Sequence, residues 1–302
     1  MNLNRWTAVI LHELLCTVRE RLPQLLLAVF VGMIAASAFI GSSARTSVTG
    51  VYREVLSQGL TTAPNPFDAF SPLYYARNTV IYIVLIGALL AIVIGVHSTL
   101  RDRLAKTTDL ILSREVRPAS YLGAKLTGLA VFVLLLLAAS AVINIGCVSV
   151  VVGHVLSFGD GARIAGFYEL AWLFMLPFVA LGMLAGLYAS SATSALLIPI
   201  VVWSVMIFIL PLLGTAAHPV SLLNPVASPP AAEAGFFSFT SGLVAPFSVG
   251  EQFKHVSALI LSDPQAAGTM TGGLLTIAAF AVAGCLAVTM TRRERMRCEF
   301  HD

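Results

Sequence analysis

This sequence contains few charged residues. Asp, Glu, Lys and Arg make up 11% of its 302 residues, whereas 58% are hydrophobic and the mean hydropathy is +0.89. A soluble domain of this length cannot bury so many apolar side chains while covering its surface with so few charges. The scarcity excludes an ordinary soluble protein, gives no indication of nucleic-acid binding, and indicates a chain that lies mainly in a bilayer.

The motifs of common enzymes and metal sites are also missing. The four cysteines, Cys16, Cys147, Cys285 and Cys298, lie far apart, so they form neither a disulfide framework nor a metal motif. No G-x-x-x-x-G-K-[ST] nucleotide loop, H-E-x-x-H zinc motif or G-x-S-x-G serine elbow occurs. The sequence therefore predicts no catalytic residue, no metal site and no cofactor in this chain. If ATP drives the protein, another chain binds it.

Long apolar segments are what the sequence does contain. A helix needs about 20 apolar residues to cross the hydrocarbon core of a bilayer. Six segments approach or reach that length, at residues 25–41, 79–96, 126–152, 170–189, 195–213 and 273–291. None has a charged residue in its apolar centre, where each would be costly. We predict an all-α integral membrane fold with six transmembrane helices.

The basic residues predict the orientation of these spans. Of the 18 basic residues, 13 lie in three segments, residues 5–21, 101–125 and 292–297. These segments fall on one side of a six-span layout, and the positive-inside rule makes that side cytoplasmic. We therefore expect a multi-pass protein of the inner (plasma) membrane with both ends in the cytoplasm and a cytoplasmic tail at 292–302.

The first 24 residues predict an amphipathic helix in the cytoplasmic interface. Apolar residues recur there at helical spacing: Trp6, Val9, Ile10, Leu14 and Val18. Polar residues, Glu13 among them, fall mostly elsewhere on the helical wheel, and Pro23 is expected to end the helix before the first span. The alternative is an ordinary flanking helix without a mechanical role.

A second amphipathic helix is predicted in the long outer loop at residues 214–269. Ser248 and Glu251 have the spacing of a capping box, and Phe253 and Val256 belong to the apolar stripe that follows. We expect this segment to be an interfacial outer gate helix that involves Ser248, Glu251 and Phe253.

Prolines and glycines within the spans have two interpretations each. Pro177, Pro199 and Pro211 interrupt the fourth and fifth spans, where they either serve a gate or are tolerated as ordinary kinks. Gly182 and Gly186 have the G-x-x-x-G spacing that suits close helix contact, although this spacing also arises by chance in apolar sequence.

The most informative segment is the loop at residues 97–125, between the second and third spans. Its charges keep it out of the bilayer, while Leu100, Leu104, Leu110 and Leu112 give it an apolar side that is expected to pack against another surface. The covered surface is either a partner protein or the loop's own helices.

This loop resembles that of the type-2 ABC exporter permeases, in particular the multicopper-enzyme maturation permeases such as the one serving nitrous oxide reductase. Their loop has an acidic residue and Arg, then Gly-Thr, two leucines, a small residue, Pro, Arg and finally Gly-Lys. The matching residues here are Asp102, Arg103, Thr107 or Thr108, Ile111, Leu112, Ser113, Arg117 and Lys125. The chain departs from the pattern at Glu115 in place of Pro, at Ala105 or Lys106 in place of the first Gly, and at Ala124 before the lysine.

The resemblance implies a type-2 exporter architecture in which two permease copies, identical or different, each dock on an ATPase subunit through this coupling loop. ATP and Mg would bind to that ATPase. The implied coupling residues are Asp102, Arg103, Leu110, Leu112, Glu115 and Arg117. Membrane lipid is an expected partner, and a periplasmic or outer-side protein is a further candidate.

Two other classes of function stay open at the level of sequence. The broken helices at Pro177 and Pro199 would also suit a secondary transporter. Against it, we find no charges buried in the spans to couple ions and no clear inverted repeat. A membrane assembly factor without transport activity is the third class, and the sequence does not identify a cargo.

Overall fold

The structure is a computed structural model that describes residues 3–60, 71–105, 117–215, 223–227, 239, 243–244, 247–264 and 266–291. Its principal helices, numbered in chain order, are α1 (Leu3–Arg19), α2 (Arg21–Ser57), α3 (Leu73–Leu104), α4 (Pro118–Val152), α5 (Phe158–Tyr188), α6 (Ala192–Leu213), α7 (Val249–Ile260) and α8 (Thr271–Thr289). The predicted tail at 292–302 lies outside the described residues.

Most of these helices can cross a membrane. Among the described residues, α3, α4, α5, α6 and α8 are long and apolar enough to span a bilayer, and α2 contains a shorter apolar segment, Leu27–Ser37. No strand occurs in the part of the chain that the structure describes. The predicted all-α membrane fold is confirmed.

The first span differs from its prediction. Helix α2 does not end near residue 41 but continues to Ser57, because the polar residues after the apolar segment do not stop a helix. Gly59, at φ +68°, is the first residue whose backbone is no longer right-handed helical. Pro23 does not end α1. The corner lies at Glu20, whose backbone is extended, and Pro23 occupies the first turn of α2, where its missing N–H is tolerated.

The predicted coupling loop at 97–125 is shorter in the structure. Helix α3 continues to Leu104, and α4 begins at Pro118. Proline is favoured at the first position of a helix, where no N–H is needed. The non-helical connection is therefore 105–117, of which 106–116 lie outside the described residues, and Lys125 belongs to α4.

Helix α5 lies at the centre of the bundle. It packs against α3, α4, α6 and α8, and 78% of its apolar window is buried, compared with 22% for α6 and for α8. Glycines bring α3 and α5 together: a Cβ on Gly182 would overlap the Ile92 carbonyl oxygen, and one on Gly186 would overlap Thr99 Oγ1. The G-x-x-x-G spacing thus forms a close helix contact.

Two of the spans contain a π-helical segment, Ile83–Gly87 in α3 and Val205–Ile209 in α6. Such segments disturb the regular backbone hydrogen bonds of a helix. Trp203 of α6 donates through Nε1 to the Val84 carbonyl at 3.3 Å, so this carbonyl is satisfied across the helix pair rather than left bare in an apolar environment.

The ends of the helices define two ends of the bundle. We call the end with Leu104, Pro118, Tyr188 and Ala192 the basic end, and the opposite one the distal end. Helix α1 packs along the start of α4 at the basic end, and α7 packs against α5, α6 and α8 towards the distal end.

Candidate coupling site

The last turn of α3, at the basic end, carries three consecutive charged residues. Arg101, Asp102 and Arg103, which we call the hub, stand directly before the connection to α4. Consecutive residues of a helix point about 100° apart, so three neighbours can reach three different elements. Each hub residue contacts a different helix.

Arg101 binds α1 and the corner that follows it. Its Nη2 donates to Glu13 Oε1 at 2.9 Å, and its Nη1 donates to Glu20 Oε1 at 2.6 Å. Glu13 is 1% exposed. His97 lies one turn earlier on α3, and its Nδ1 is 3.5 Å from Glu20 Oε2. A planar guanidinium with five donors suits such a pair of carboxylates.

Asp102 binds α4. Its Oδ2 accepts hydrogen bonds from Tyr121 Oη at 2.7 Å and from Lys125 Nζ at 2.5 Å. Lys125 is 1% exposed and also contacts Glu13 Oε2 at 3.1 Å and the Ser98 carbonyl at 2.7 Å. The two ends of the connection at 105–117 are therefore joined at its base by a charge-assisted hydrogen bond.

Arg103 binds α5. Its Nη1 donates to the carbonyls of Gly186 at 2.8 Å and Ala189 at 2.9 Å, at the C-terminal end of that helix. The last carbonyls of a helix have no partner within the helix and carry partial negative charge, so a cation there is favourable. Arg103 is among the coupling residues that the resemblance implied, and its guanidinium lies on the protein's own helix α5.

The charged groups of this site are paired with one another. The cations of Arg101 and Lys125 lie among the carboxylates of Glu13, Glu20 and Asp102. A buried ion is tolerated when it is paired and hydrogen-bonded, which is the case for Lys125 and Glu13. The arrangement is suited to holding α1, α3, α4 and α5 in fixed relative positions.

The other predicted coupling residues are placed differently. Leu110, Leu112 and Glu115 lie outside the described residues. Arg117 is the exposed residue at the N-terminus of α4, and its side chain makes no capping hydrogen bond. Of the predicted set, the structure therefore brings together Asp102 and Arg103.

Sequence reasoning missed Glu13 as a partner and treated Lys125 as a loop residue. The apolar stripe of α1 was expected to face the membrane, but Trp6 and Ile10 lie against α4 at Gly123 and Gly128. Our placement of Glu13 away from the apolar stripe was wrong, because Glu13 falls on that same face of the helical wheel, between Trp6 and Val9. An acidic residue inside an apolar stripe was the available signal for a buried partner.

Charged residues are buried in this protein, although outside the six predicted spans. Glu13 and Lys125 are buried at the basic end, and Glu251 and Lys254 of α7 are buried elsewhere. These charges form ion pairs, which local periodicity could not show because the partners of Glu13 come from other helices.

The predicted outer helix is present as α7, but its surroundings are not those of an interfacial helix. Phe253 is fully buried, stacks on Phe174 with ring centroids 4.4 Å apart, and lies 6.1 Å from Phe167. Both partner rings belong to α5. Apolar contact with α5 replaces the contact with lipid that the stripe alone indicated.

The predicted capping box of α7 is absent. Ser248 stands at the N-terminus of the helix, but its side chain makes no capping hydrogen bond. Glu251 instead accepts a hydrogen bond from Lys254 at 2.8 Å. Lys254 is itself only 2% exposed. The Glu251 carboxylate can either pair with Lys254 or cap the start of the helix. Pairing is favoured, because leaving a buried charge unpaired costs more free energy than leaving a helix start uncapped.

The turn after α7 is held by residues from other helices. Arg77 contacts Asp263 at 3.3 Å and lies 3.9 Å from the ring centroid of Tyr74. Arg163, near the start of α5, donates to Ser262, which has φ +54°. These two polar contacts hold the turn after α7 against α3 and α5.

The chain matches a known protein family over most of its length. The family model described as ABC-2 family transporter protein matches residues 7–282, a segment that begins within α1 and ends within α8. A search of curated proteins finds no match. The narrower resemblance to multicopper-enzyme maturation permeases stays a prediction. Because the matched segment covers most of the chain, including the hub and its partners, this multi-pass membrane protein belongs to the ABC-2 transporter family.

Proposed function

We propose that this chain is the permease subunit of an ABC transporter and moves its substrate with energy from a separate ATPase subunit. The observation that carries the proposal is the hub. Three consecutive residues next to the connection at 105–117 bind α1, α4 and α5. A partner that pushes or pulls on this connection would move all three helices together.

The orientation follows from charge. The three segments that hold 13 of the 18 arginines and lysines lie at the basic end or adjoin it in sequence, so this end faces the cytoplasm by the positive-inside rule. The ATPase would dock there and would bind the ATP and Mg that this chain has no motif to bind. A second permease copy and the surrounding lipid complete the assembly in the inner membrane.

The docking surface would be the segment at 106–116. Its sequence contains Leu110 and Leu112 as apolar anchors, with Glu115 and Arg117 as charged neighbours. Buried apolar anchors carry most of the energy of such a contact, and charges at the rim orient it. Because Arg103 is engaged with α5, the orienting role passes to Arg117.

Helix α5 would connect the docking end to the outer helix. Arg103 holds its C-terminal carbonyls, and Phe253 of α7 stacks on Phe174 in the same helix. Helix α5 is continuous from Phe158 to Tyr188 despite Pro177, so movement at the hub would reach α7 along it. We propose on this basis that α7, with Ser248, Glu251 and Phe253, is the outer gate.

The test separates the docking anchors from the rim charge. Leu110→Ala combined with Leu112→Ala should strip the ATPase from the purified permease, because truncating each buried anchor costs about 2 kcal/mol. Arg117→Ala should keep the ATPase at low salt and lose part of it at high salt. The measurement is ATPase protein and ATP hydrolysis recovered with tagged permease at two salt concentrations.

Insertion in the membrane and elution volume on size exclusion control for folding of each variant. If the double variant retains its ATPase at the wild-type level, the segment at 106–116 is not the docking surface. If no ATPase accompanies the unaltered protein under any condition, the proposed function is wrong.

A further inference from the structure

The π-helical segments of α3 and α6 lie side by side in the bundle. In α3, Ala88 donates its backbone N–H to the carbonyl of Ile83, and in α6 Leu210 donates to the carbonyl five residues before it. A regular α-helix joins residues four apart. Trp203, two residues before the segment of α6, donates to the Val84 carbonyl inside the segment of α3. The two irregular segments therefore meet at one depth.

Helix α3 is held separately on the two sides of its π segment. On the basic side, Gly95 packs so closely against α5 that a Cβ there would overlap the backbone of that helix, and the hub follows. On the distal side, Thr79 accepts a hydrogen bond from Asn144 of α4 at 3.2 Å, and Arg77 pairs with Asp263. Displacement of the hub would strain α3 unless its backbone bends between these anchors.

Helix α6 is divided in the same way. Its regular part, Ala192–Ser204, packs against the basic-end part of α3. Its π segment contacts α7, where Ile207 lies against Gly250. Bending of α6 at this segment would therefore change the position of α7, the proposed outer gate, relative to the basic end.

The local structure suits such bending. A π segment disturbs the regular hydrogen bonds of a helix and is one of the usual sites of a sharp kink. A single π segment would be explained by the packing of one bulky side chain. Two segments at one depth, joined by a hydrogen bond and followed on each side by separately held structure, require more than that.

We propose that the π segments of α3 and α6, joined by Trp203, form a hinge about which the basic-end parts of both helices move relative to the distal end. The hinge is a property of the permease alone. Its failure would leave the proposed docking of an ATPase standing.

The test measures the distance between two spin labels across the hinge by double electron–electron resonance. Ile198→Cys and Leu213→Cys place the labels at exposed positions on the two sides of the α6 segment, in a full chain that lacks the native cysteines. Labelled permease is diluted with unlabelled permease in nanodiscs. The control pair, Leu135→Cys with Val150→Cys, has the same sequence separation, is also exposed, and lies in the continuous α-helix α4. The α6 pair should give the broader distance distribution.

Further variants of the α6 pair locate the bending. Trp203→Phe removes the donor but keeps an aromatic ring, and it should broaden the distribution further. Trp172→Phe is its matched control, because it removes an indole hydrogen bond to the Ala130 carbonyl, in a regular helix, and should leave the distribution unchanged. Deletion of the exposed Val205 returns the segment to α-helical length and should narrow the distribution to that of the α4 pair. Deletion of the exposed Val201, in the regular part, turns the rest of α6 by about 100° and should destabilise the protein.

Three results would overturn the proposal. The first is an equal width for the two label pairs in helices that are otherwise unaltered, a comparison that holds even if a deletion variant does not fold. The second is a distribution for Trp203→Phe that is the same as that for Trp172→Phe. The third is a broad distribution that survives deletion of Val205, because the bending would then lie outside the π segment.

Discussion

Replacing Lys125 with methionine removes one cation from the buried charges at the basic end while keeping most of the side-chain volume. In the structure Lys125 Nζ lies 2.5 Å from Asp102 Oδ2 and 3.1 Å from Glu13 Oε2. After the substitution Glu13 keeps Arg101 as a partner, and Asp102 keeps the hydroxyl of Tyr121. The carboxylates of Glu13 and Asp102 would then have one cation fewer beside them.

The size of the effect follows from burial. Removing one partner from a buried ion pair typically costs 3–5 kcal/mol, because the other charge is left uncompensated. Glu13 is 1% exposed, but the Asp102 side chain is 16% exposed and both carboxylates keep another partner. We therefore expect the low end of the range, about 3 kcal/mol in the free energy of unfolding.

The measurement is unfolding of the purified protein by SDS titration in mixed micelles, followed by circular dichroism. Arg117→Met is the matched control, because it removes an exposed cation near the start of the same helix and should change stability by no more than about 0.5 kcal/mol. The double variant Glu13→Gln with Lys125→Met should lose less than the sum of the single variants, with a coupling energy of about 1–3 kcal/mol.

Two results would refute the reasoning. If Lys125→Met is as stable as Arg117→Met, Lys125 is not a buried partner of the two carboxylates. If the effects of Glu13→Gln and Lys125→Met add without coupling, the pair across α1 and α4 does not form.

Two further predictions test the distal end and the helix contact. Phe253→Asp and Lys254→Asp should both destabilise the protein by about 3 kcal/mol or more, because each side chain is buried and the second change places two carboxylates side by side. In the same SDS titration, a large loss for Phe253→Asp alone would show that Lys254 is exposed. Gly182→Ala should destabilise the protein, because the added methyl group would overlap α3. Gly166→Ala in the same helix meets no neighbour and should stabilise the protein by up to about 1 kcal/mol, because alanine favours the helix more than glycine does. Equal effects at the two glycines would contradict the close approach.

The sequence predicted the membrane fold because that fold depends on local composition. A segment of apolar residues long enough to cross a bilayer is recognisable without knowledge of its neighbours. The predicted spans 79–96, 126–152 and 170–189 coincide with helices of the structure to within one residue at their C-terminal ends or lie inside them, and each helix begins before its span. Hydropathy marks the part of a helix that is apolar, whereas the helix itself ends where a residue such as Gly59 leaves it.

The candidate site was predicted in part. Asp102 and Arg103 were identified from a pattern of residues near one another in sequence. Their partners, Lys125 of α4 and the carbonyl of Gly186 in α5, were not, because the helices that carry them meet the end of α3 only in the folded bundle.

The sequence by itself determined that this protein is helical, lies in a membrane and concentrates its positive charge at one end, since each property depends on residue type and order along the chain. The tertiary structure decided which side of each amphipathic helix is buried. On α1 and α7 the apolar stripes pack against other helices, and Glu13 and Lys254 are buried with them. Lipid and protein present similar apolar surfaces to a helix, so hydrophobic periodicity cannot distinguish them. The charges that accompany an apolar stripe do distinguish them, since a buried charge requires a partner that the folded bundle must supply.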